Sequence, residues 1–291
     1  MTTQYQSATD FRKSLEARLK RLATTTGQDL QRVRRKVAFD RLLARIFQDN
    51  SGSQFFLKGG YAMELRFDKA RATRDIDLTY LERFKQNPES DISEEIFQEF
   101  RDISQIDLKD FFVYRVGDAQ MDLDNAPYGG ARFPVSSFID GRLFVRFQID
   151  IGLDVVVNKI DKVKGVDWLD FCKIPTPVMS MISKEQQFAE KIHAYTLPRD
   201  GRMNSRVKDL VDLLLLLNMQ DMDLMGCNHA FQTVFRVRRT HQLPESLLPP
   251  PVQWDVNFQK MALECGLKPD MTEAYEQVDS FFQKVISVTD A

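Results

Sequence analysis

The stretch 57–80, LKGGYAMELRFDKARATRDIDLTY, constrains this chain more than any other. It ends on Asp75-Ile76-Asp77-Leu78, an alternation of acidic and apolar residues. Residues two apart in a strand point to one face, so the Asp75 and Asp77 carboxylates stand about 6–7 Å apart along it, with Ile76 and Leu78 turned to a buried face. Like charges held side by side repel, and a divalent cation with oxygen ligands relieves the repulsion. Upstream, Lys58-Gly59-Gly60 opens an amphipathic run, residues 61–67. A glycine pair lets backbone N–H groups approach a phosphate closely, above all where a helix starts just after it. The two halves together describe a metal–nucleotide site.

Around this stretch the periodicity divides the chain. Residues 10–48 read as two helices with apolar stripes Phe11, Leu15, Leu19, Leu22 and Phe39, Leu42, Leu43, Ile46, separated by Thr24-Thr25-Thr26-Gly27. Residues 87–91 read as a loop, and Ile92, Ile96, Phe100 and Ile103 mark a helix. From 111 to 154 the period switches to two, with Asp140-Gly141 as a hairpin signal. In the last of these strands Asp150 falls on the mixed, more polar face. A linker rich in charge and proline, residues 158–177, is expected to end the sheet. Helices follow: 184–196 with Phe188, Ile192 and Tyr195 inward; one from 204 that runs through the apolar residues 213–217; two more near 255–265 and 272–288. The expected domains are N-terminal helices at 1–50 packing on the core, a core at 51–160 and a helical domain at 178–291. The fold class is α+β, with a mixed sheet.

Composition excludes several classes. The 291 residues are 43% hydrophobic and 28% charged, ordinary for a globular protein, and the formal charge of −2 gives no global pull toward polyanions. Two basic clusters stand out locally: Arg32, Arg34, Arg35 with Lys36, and Arg236, Arg238, Arg239. Each reads as a solvated helix face or as an RNA- or partner-binding patch. No apolar run approaches a membrane span, and the start lacks a signal-peptide core, so the expected location is cytoplasmic, with no membrane partner. Cys172, Cys227 and Cys265 fit neither a disulfide framework nor a zinc site. His193, His229 and His241 have no companion at ligand spacing, and no chemistry is assigned to them.

The motif KGG…RATRDIDL resembles the AbiEii/AbiGii toxin family of nucleotidyltransferases, in the DNA polymerase β-like superfamily. A second match, in the right order, is AEK at 189–191 followed by R-x-K-D-x-x-D at 206–212. One departure is Tyr61, where many superfamily members carry a small hydroxyl residue. The resemblance implies a polymerase β-like core with a C-terminal helical domain and a Mg²⁺- or Mn²⁺-dependent transfer of a nucleotide from a nucleoside triphosphate. It implies further a toxin of a toxin–antitoxin or phage-defence (abortive infection) system, a cognate antitoxin encoded alongside, and an acceptor that in several members is the tRNA end.

On that reading Asp75 and Asp77, with Asp150 as third carboxylate, hold the metal. Lys58 and Lys191 neutralise the triphosphate, Gly59 and Gly60 cradle it, and Thr73 donates to a phosphate. In the family a Ser or Thr at this last place can be modified to silence the toxin. Asp209 activates the acceptor hydroxyl or orients Lys191. Asp212 reads as structural, because Arg206/Asp209 and Lys208/Asp212 form a self-satisfied helix start. The competing readings are nucleotidyl or phosphoryl transfer to a protein acceptor and a catalytically silent binding module of the same fold.

Overall fold

The computed structural model describes residues 5–48, 54–81, 92–122, 129–154, 156, 159–199, 201 and 203–288. The loop expected at 87–91 lies outside them. The chain divides into two units. The first comprises Met1–Leu57, Ala72–Asp154 and Lys162–Ser180; the second comprises Lys58–Arg71, Val155–Asp161 and Met181–Ala291.

In the first unit, α1 (Ala8–Thr26) starts at Ser7, whose hydroxyl accepts from the Asp10 N–H, and ends at Gly27, φ 67°. The helix runs through the three threonines expected to break it. Their hydroxyls donate to carbonyls one turn back, and the left-handed glycine makes the stop. Phe11, Leu15, Leu19 and Ala23 form the buried stripe.

Helix α2 (Leu30–Ile46) is buried on nearly every side of its second half, polar residues included. Asp110, fully buried, takes the guanidinium groups of Arg41 and Arg45 at 2.8 Å each. Burial alone would raise the Asp110 pKa; the two arginines reverse this and hold it below the ordinary value. Asp40 accepts from the Trp168 indole N–H at 2.7 Å.

The strands are β1 (Phe55–Lys58), β2 (Asp75–Tyr80), β3 (Phe112–Val116), β4 (Met121–Asp122), β5 (Gly130–Ile139), β6 (Arg142–Leu153), β7 (Ile160–Lys164) and β8 (Val178–Ile182), with α4 (Ile92–Ser104) after β2. Their order is β3-β5-β6-β2-β1-β8-β7, with β4 beside β5. The sheet is mixed: β5 and β6 form an antiparallel hairpin, and β6 runs parallel to β2. Asp140 and Gly141 turn the hairpin with φ 56° and 67°, the left-handed pair that matches strand twist. The sheet does not end at 158. Strands β7 and β8 lie in and after the expected linker, unread because IDKVK is short and charged and VMSMI follows a proline-rich run.

The second unit is helical, apart from strand segments at its boundaries: α3 (Gly59–Arg66), α5 (Lys184–Thr196), α6 (Val207–Leu217), α7 (Leu224–Arg238), α8 (Asp255–Glu264) and α9 (Met271–Ile286). Phe188 and Ile192 of α5, Leu210 and Leu213 of α6, Phe231 of α7 and Phe282 of α9 share one core. The apolar-all-round α6 lies inside it, as such a helix must.

Two histidines with no sequence-level companion meet here. The rings of His193 and His241 are 4.7 Å apart. Thr240 Oγ1 lies 2.8 Å from His193 Nε2 and 3.0 Å from His241 Nδ1, and Thr196 Oγ1 lies 2.8 Å from His241 Nε2. Partial burial lowers the His241 pKa from its ordinary value. No helix among the described residues is long and apolar enough to cross a membrane.

Candidate active site

The candidate residues divide between the units. Asp75, Asp77, Asp150 and Thr73 belong to the first; Lys58, Gly59, Gly60, Lys191 and Asp209 belong to the second.

In the first unit the parallel register sets Asp77 beside Asp150 and Asp75 beside Gln148. Asp75, Asp77 and Asp150 are all half-buried, on the face opposite the buried Ile76, Leu78, Ile149 and Ile151. The three carboxylates therefore share one sheet face. Arg132 of β5, the register partner of Asp150 on its other side, donates from Nε at 2.7 Å and from Nη2 at 2.6 Å to the two Asp150 oxygens. This is the bidentate geometry in which guanidinium and carboxylate bind best. The hydrogen bonds from Asp150, with the nearby charges of Asp75 and Asp77, raise the Arg132 pKa above its ordinary value. Thr73 lies just ahead of β2, and its hydroxyl donates to the Asp75 carbonyl at 3.4 Å.

Carboxylate oxygens are hard donors, and Mg²⁺ is commonly held by one or two carboxylates plus substrate phosphates. Asp75 and Asp77 fit that requirement. Among the described residues no group of three or more acidic, histidine or cysteine side chains is arranged to hold a metal ion.

In the second unit Gly59 opens α3 with φ 66°, a conformation that favours glycine. Its carbonyl accepts from the Gln187 side chain at 3.0 Å, which ties the turn to α5. Tyr61, at the departure from the superfamily pattern, is a core residue with no exposure. Lys58 stands 4.0 Å from the Glu190 carboxylate, which also takes Arg238 at 3.2 Å.

A cluster of charges lies between α5 and α6. Lys191 Nζ donates to Asp212 at 2.6 Å and lies 3.5 Å from Asp209. Arg71 grips the same Asp212 from Nε at 3.0 Å and Nη2 at 2.8 Å. Asp212 is fully buried. Burial would raise its pKa, but Lys191 and Arg71 outweigh that and keep it below the ordinary carboxylate value. Asp209 is 4% exposed, and its Oδ2 has no hydrogen-bond partner; Arg206 is 3.7 Å away. A buried carboxylate oxygen left in this state requires an explanation.

Asp212, read as structural, is buried and accepts hydrogen bonds from Lys191 and Arg71. Arg71 was seen only as a motif position. Arg132 was legible from the hairpin, since pairing outward from Asp140-Gly141 brings it opposite Asp150, with one bulge at Ser137/Phe138 on the way.

The profile of a family described as "Nucleotidyl transferase AbiEii toxin, Type IV TA system" matches residues 41–284. The chain belongs to the AbiEii nucleotidyltransferase toxin family. Among solved structures, MenT4, a nucleotidyltransferase toxin from Mycobacterium tuberculosis, is similar with a TM-score of 0.60 at 14% identity, over 94% of this chain and 90% of that one. That likeness establishes the fold. JHP933 from Helicobacter pylori is similar at a TM-score of 0.45 and 12% identity, over 87% of this chain and 92% of that one. Among curated proteins no sequence match is found. Membership makes this an AbiEii nucleotidyltransferase toxin of a type IV toxin–antitoxin system and implies a cognate antitoxin.

Proposed function

We propose that the chain transfers a nucleotide from a nucleoside triphosphate to the 3′ end of tRNA in the cytoplasm, in a Mg²⁺- or Mn²⁺-dependent reaction, and that this modification is its toxic and phage-defence activity. The observation that supports this reading most is the Lys191–Asp212–Asp209 cluster: a buried cation with a fixed orientation beside a carboxylate oxygen that lacks a donor.

In this reaction the acceptor hydroxyl oxygen forms a bond to the α-phosphorus, the bond from the α-phosphorus to the bridging oxygen breaks, and pyrophosphate leaves. Positioning and charge neutralisation carry most of the rate enhancement for such transfers. Lys191, held by Asp212, presents its remaining N–H donors to the triphosphate, and Lys58 adds a second point charge. The N–H groups of Gly59 and Gly60 at the start of α3 bind phosphate oxygen. Thr73 exchanges its 3.4 Å contact for a phosphate. Asp209 accepts the hydroxyl proton through the oxygen that lacks a hydrogen bond or aligns that hydroxyl for attack. Asp75 and Asp77 would hold the divalent cation, which when bound neutralises the developing charge and aligns the attacking and leaving oxygens.

The arginine clusters favour RNA over protein as acceptor. Arg236 and Arg239 are exposed, whereas Arg34 and Arg238 also pair with Glu16 and Glu190. The test is incubation with each labelled nucleotide, Mg²⁺ and either total tRNA or total protein. Label in tRNA, falling steeply with salt, is the expected result. Label confined to protein would overturn the acceptor assignment.

A further inference from the structure

Helix α3 carries the glycine turn at its start and Arg66 at its end, and Gln187 of α5 is bonded to both. Helical side chains lean toward the N-terminus, so a long one in the last turn reaches back along its own helix. Arg66 engages all three guanidinium nitrogens. Its Nε donates to Gln187 Oε1 at 3.0 Å, Nη1 to Asp161 at 2.7 Å and Nη2 to the Ile182 carbonyl at 2.6 Å. Gln187 in turn donates from Nε2 to the Gly59 carbonyl at 3.0 Å. Both side chains are buried: Gln187 is 1% exposed and the Arg66 side chain 5%. All of these residues belong to the second unit. A guanidinium has donors only, so it decides which end of the Gln187 carboxamide faces Arg66 and leaves the NH₂ end for Gly59.

We propose that Arg66 is a positioning residue that, through Gln187, holds the Gly59 turn in the conformation that takes the triphosphate. This rests on the triphosphate reading of the proposed function. The Gly59 carbonyl and the Gly60 N–H belong to one planar trans peptide group and point in opposite directions. An anchor on the oxygen therefore sets the aim of the N–H. Glycine needs such an anchor more than other residues, because it takes φ of either sign readily, and Gly59 stands at 66°. Without Arg66 the hydrogen bonds no longer decide which end of the Gln187 carboxamide faces Gly59. With its oxygen there, acceptor would meet acceptor and the turn would lose its hold. Asp161 and the Ile182 carbonyl fix the guanidinium in turn, so the chain of bonds has a rigid far end.

The test is the affinity of the full chain, with Mg²⁺, for ATP, CTP, GTP and UTP in turn, read by calorimetry. For whichever triphosphate binds, Gln187→Met and Arg66→Met should each weaken binding roughly five- to tenfold, the worth of about one hydrogen bond. The double variant should bind no worse than the weaker of the two single variants, because the arginine acts through the glutamine. Independent damage to the fold would multiply the two losses instead. Gln187→Glu serves if the methionine variants do not fold. Its carboxylate still accepts from Arg66 but has no donor for Gly59, so a loss of the same size is expected, read at about 0.5 M salt where the added charge is screened. Unchanged affinity in folded Gln187→Met or Gln187→Glu, or losses that multiply in the double variant, would overturn the proposal. Failure of the underlying site looks different: the unaltered chain would bind none of these triphosphates, or Gly59→Ala would bind them as well as the unaltered chain does.

Discussion

The acidic face of β2 and β6 and the charge cluster between α5 and α6 hold charge at different depths. On the sheet, Asp75, Asp77 and Asp150 share a half-buried face, and Arg132 forks onto Asp150. Between the helices, Asp212 lies between Lys191 and Arg71 with no exposure at all, and the charges are matched inside the protein. The difference teaches where binding and where orientation are built. Carboxylates within reach of solvent are suited to recruiting a cation. Matched charge in a low-dielectric interior fixes a side chain and makes its loss costly.

The strongest way to break this comparison is to empty the sheet face. Asp75→Asn/Asp77→Asn should abolish metal-dependent triphosphate binding and turnover while leaving the fold intact. Retained nucleotide affinity in that variant would remove the binding half of the comparison.

Asp212→Ala does the reverse. It removes the buried carboxylate that Lys191 and Arg71 share, and breaking a buried pair costs about 3–5 kcal/mol. Denaturant unfolding should show that drop, with turnover falling as well because Lys191 is no longer held. A stability within about 1 kcal/mol of the unaltered chain would mean the buried pairs contribute little.

Asp209→Asn tests the boundary between the two behaviours, since this residue is buried like Asp212 but has one oxygen without a hydrogen bond, 3.7 Å from Arg206. Triphosphate and metal binding should survive, and turnover should fall by roughly 10²-fold or more, the range for loss of a general base. Near-normal turnover would reassign that oxygen to a structural role.

The smallest expected effect is pH dependence from His241. Its pKa is lowered on folding, so the unfolded chain binds the proton more readily. The stability it contributes is full above pH ~6.5 and declines as pH falls below that value toward the lowered one. A fall of Tm by roughly 1–2 °C between pH 7 and pH 5 is expected, small because the ring is partly open to solvent. His241→Gln should flatten that part of the profile; an unchanged profile would place the titration elsewhere.

Much of this was legible in the sequence because it is carried by local periodicity. The Asp75/Asp77 alternation, the Asp140-Gly141 turn and the Phe188/Ile192/Tyr195 stripe each follow from spacing within one element. The Arg132–Asp150 pair needed the hairpin register, including a bulge that shifts it. The Arg71–Asp212 pair, 141 residues apart in sequence, needed the packing of α6 against a distant segment, and no local pattern carries that information. Strands β7 and β8 were lost because charge and proline hid short runs that pairing alone makes regular.

In the proposed reaction a whole nucleotide moves, with Lys191 as the oriented cation. The most direct measurement compares α-labelled and γ-labelled triphosphate in parallel reactions with tRNA, for the unaltered chain and for Lys191→Ala. The unaltered chain should transfer the α-label and not the γ-label, and Lys191→Ala should lose at least about 10²-fold of that transfer, the size expected when a positioned electrostatic group is removed. Transfer of the γ-label, or undiminished α-transfer by Lys191→Ala, would contradict it.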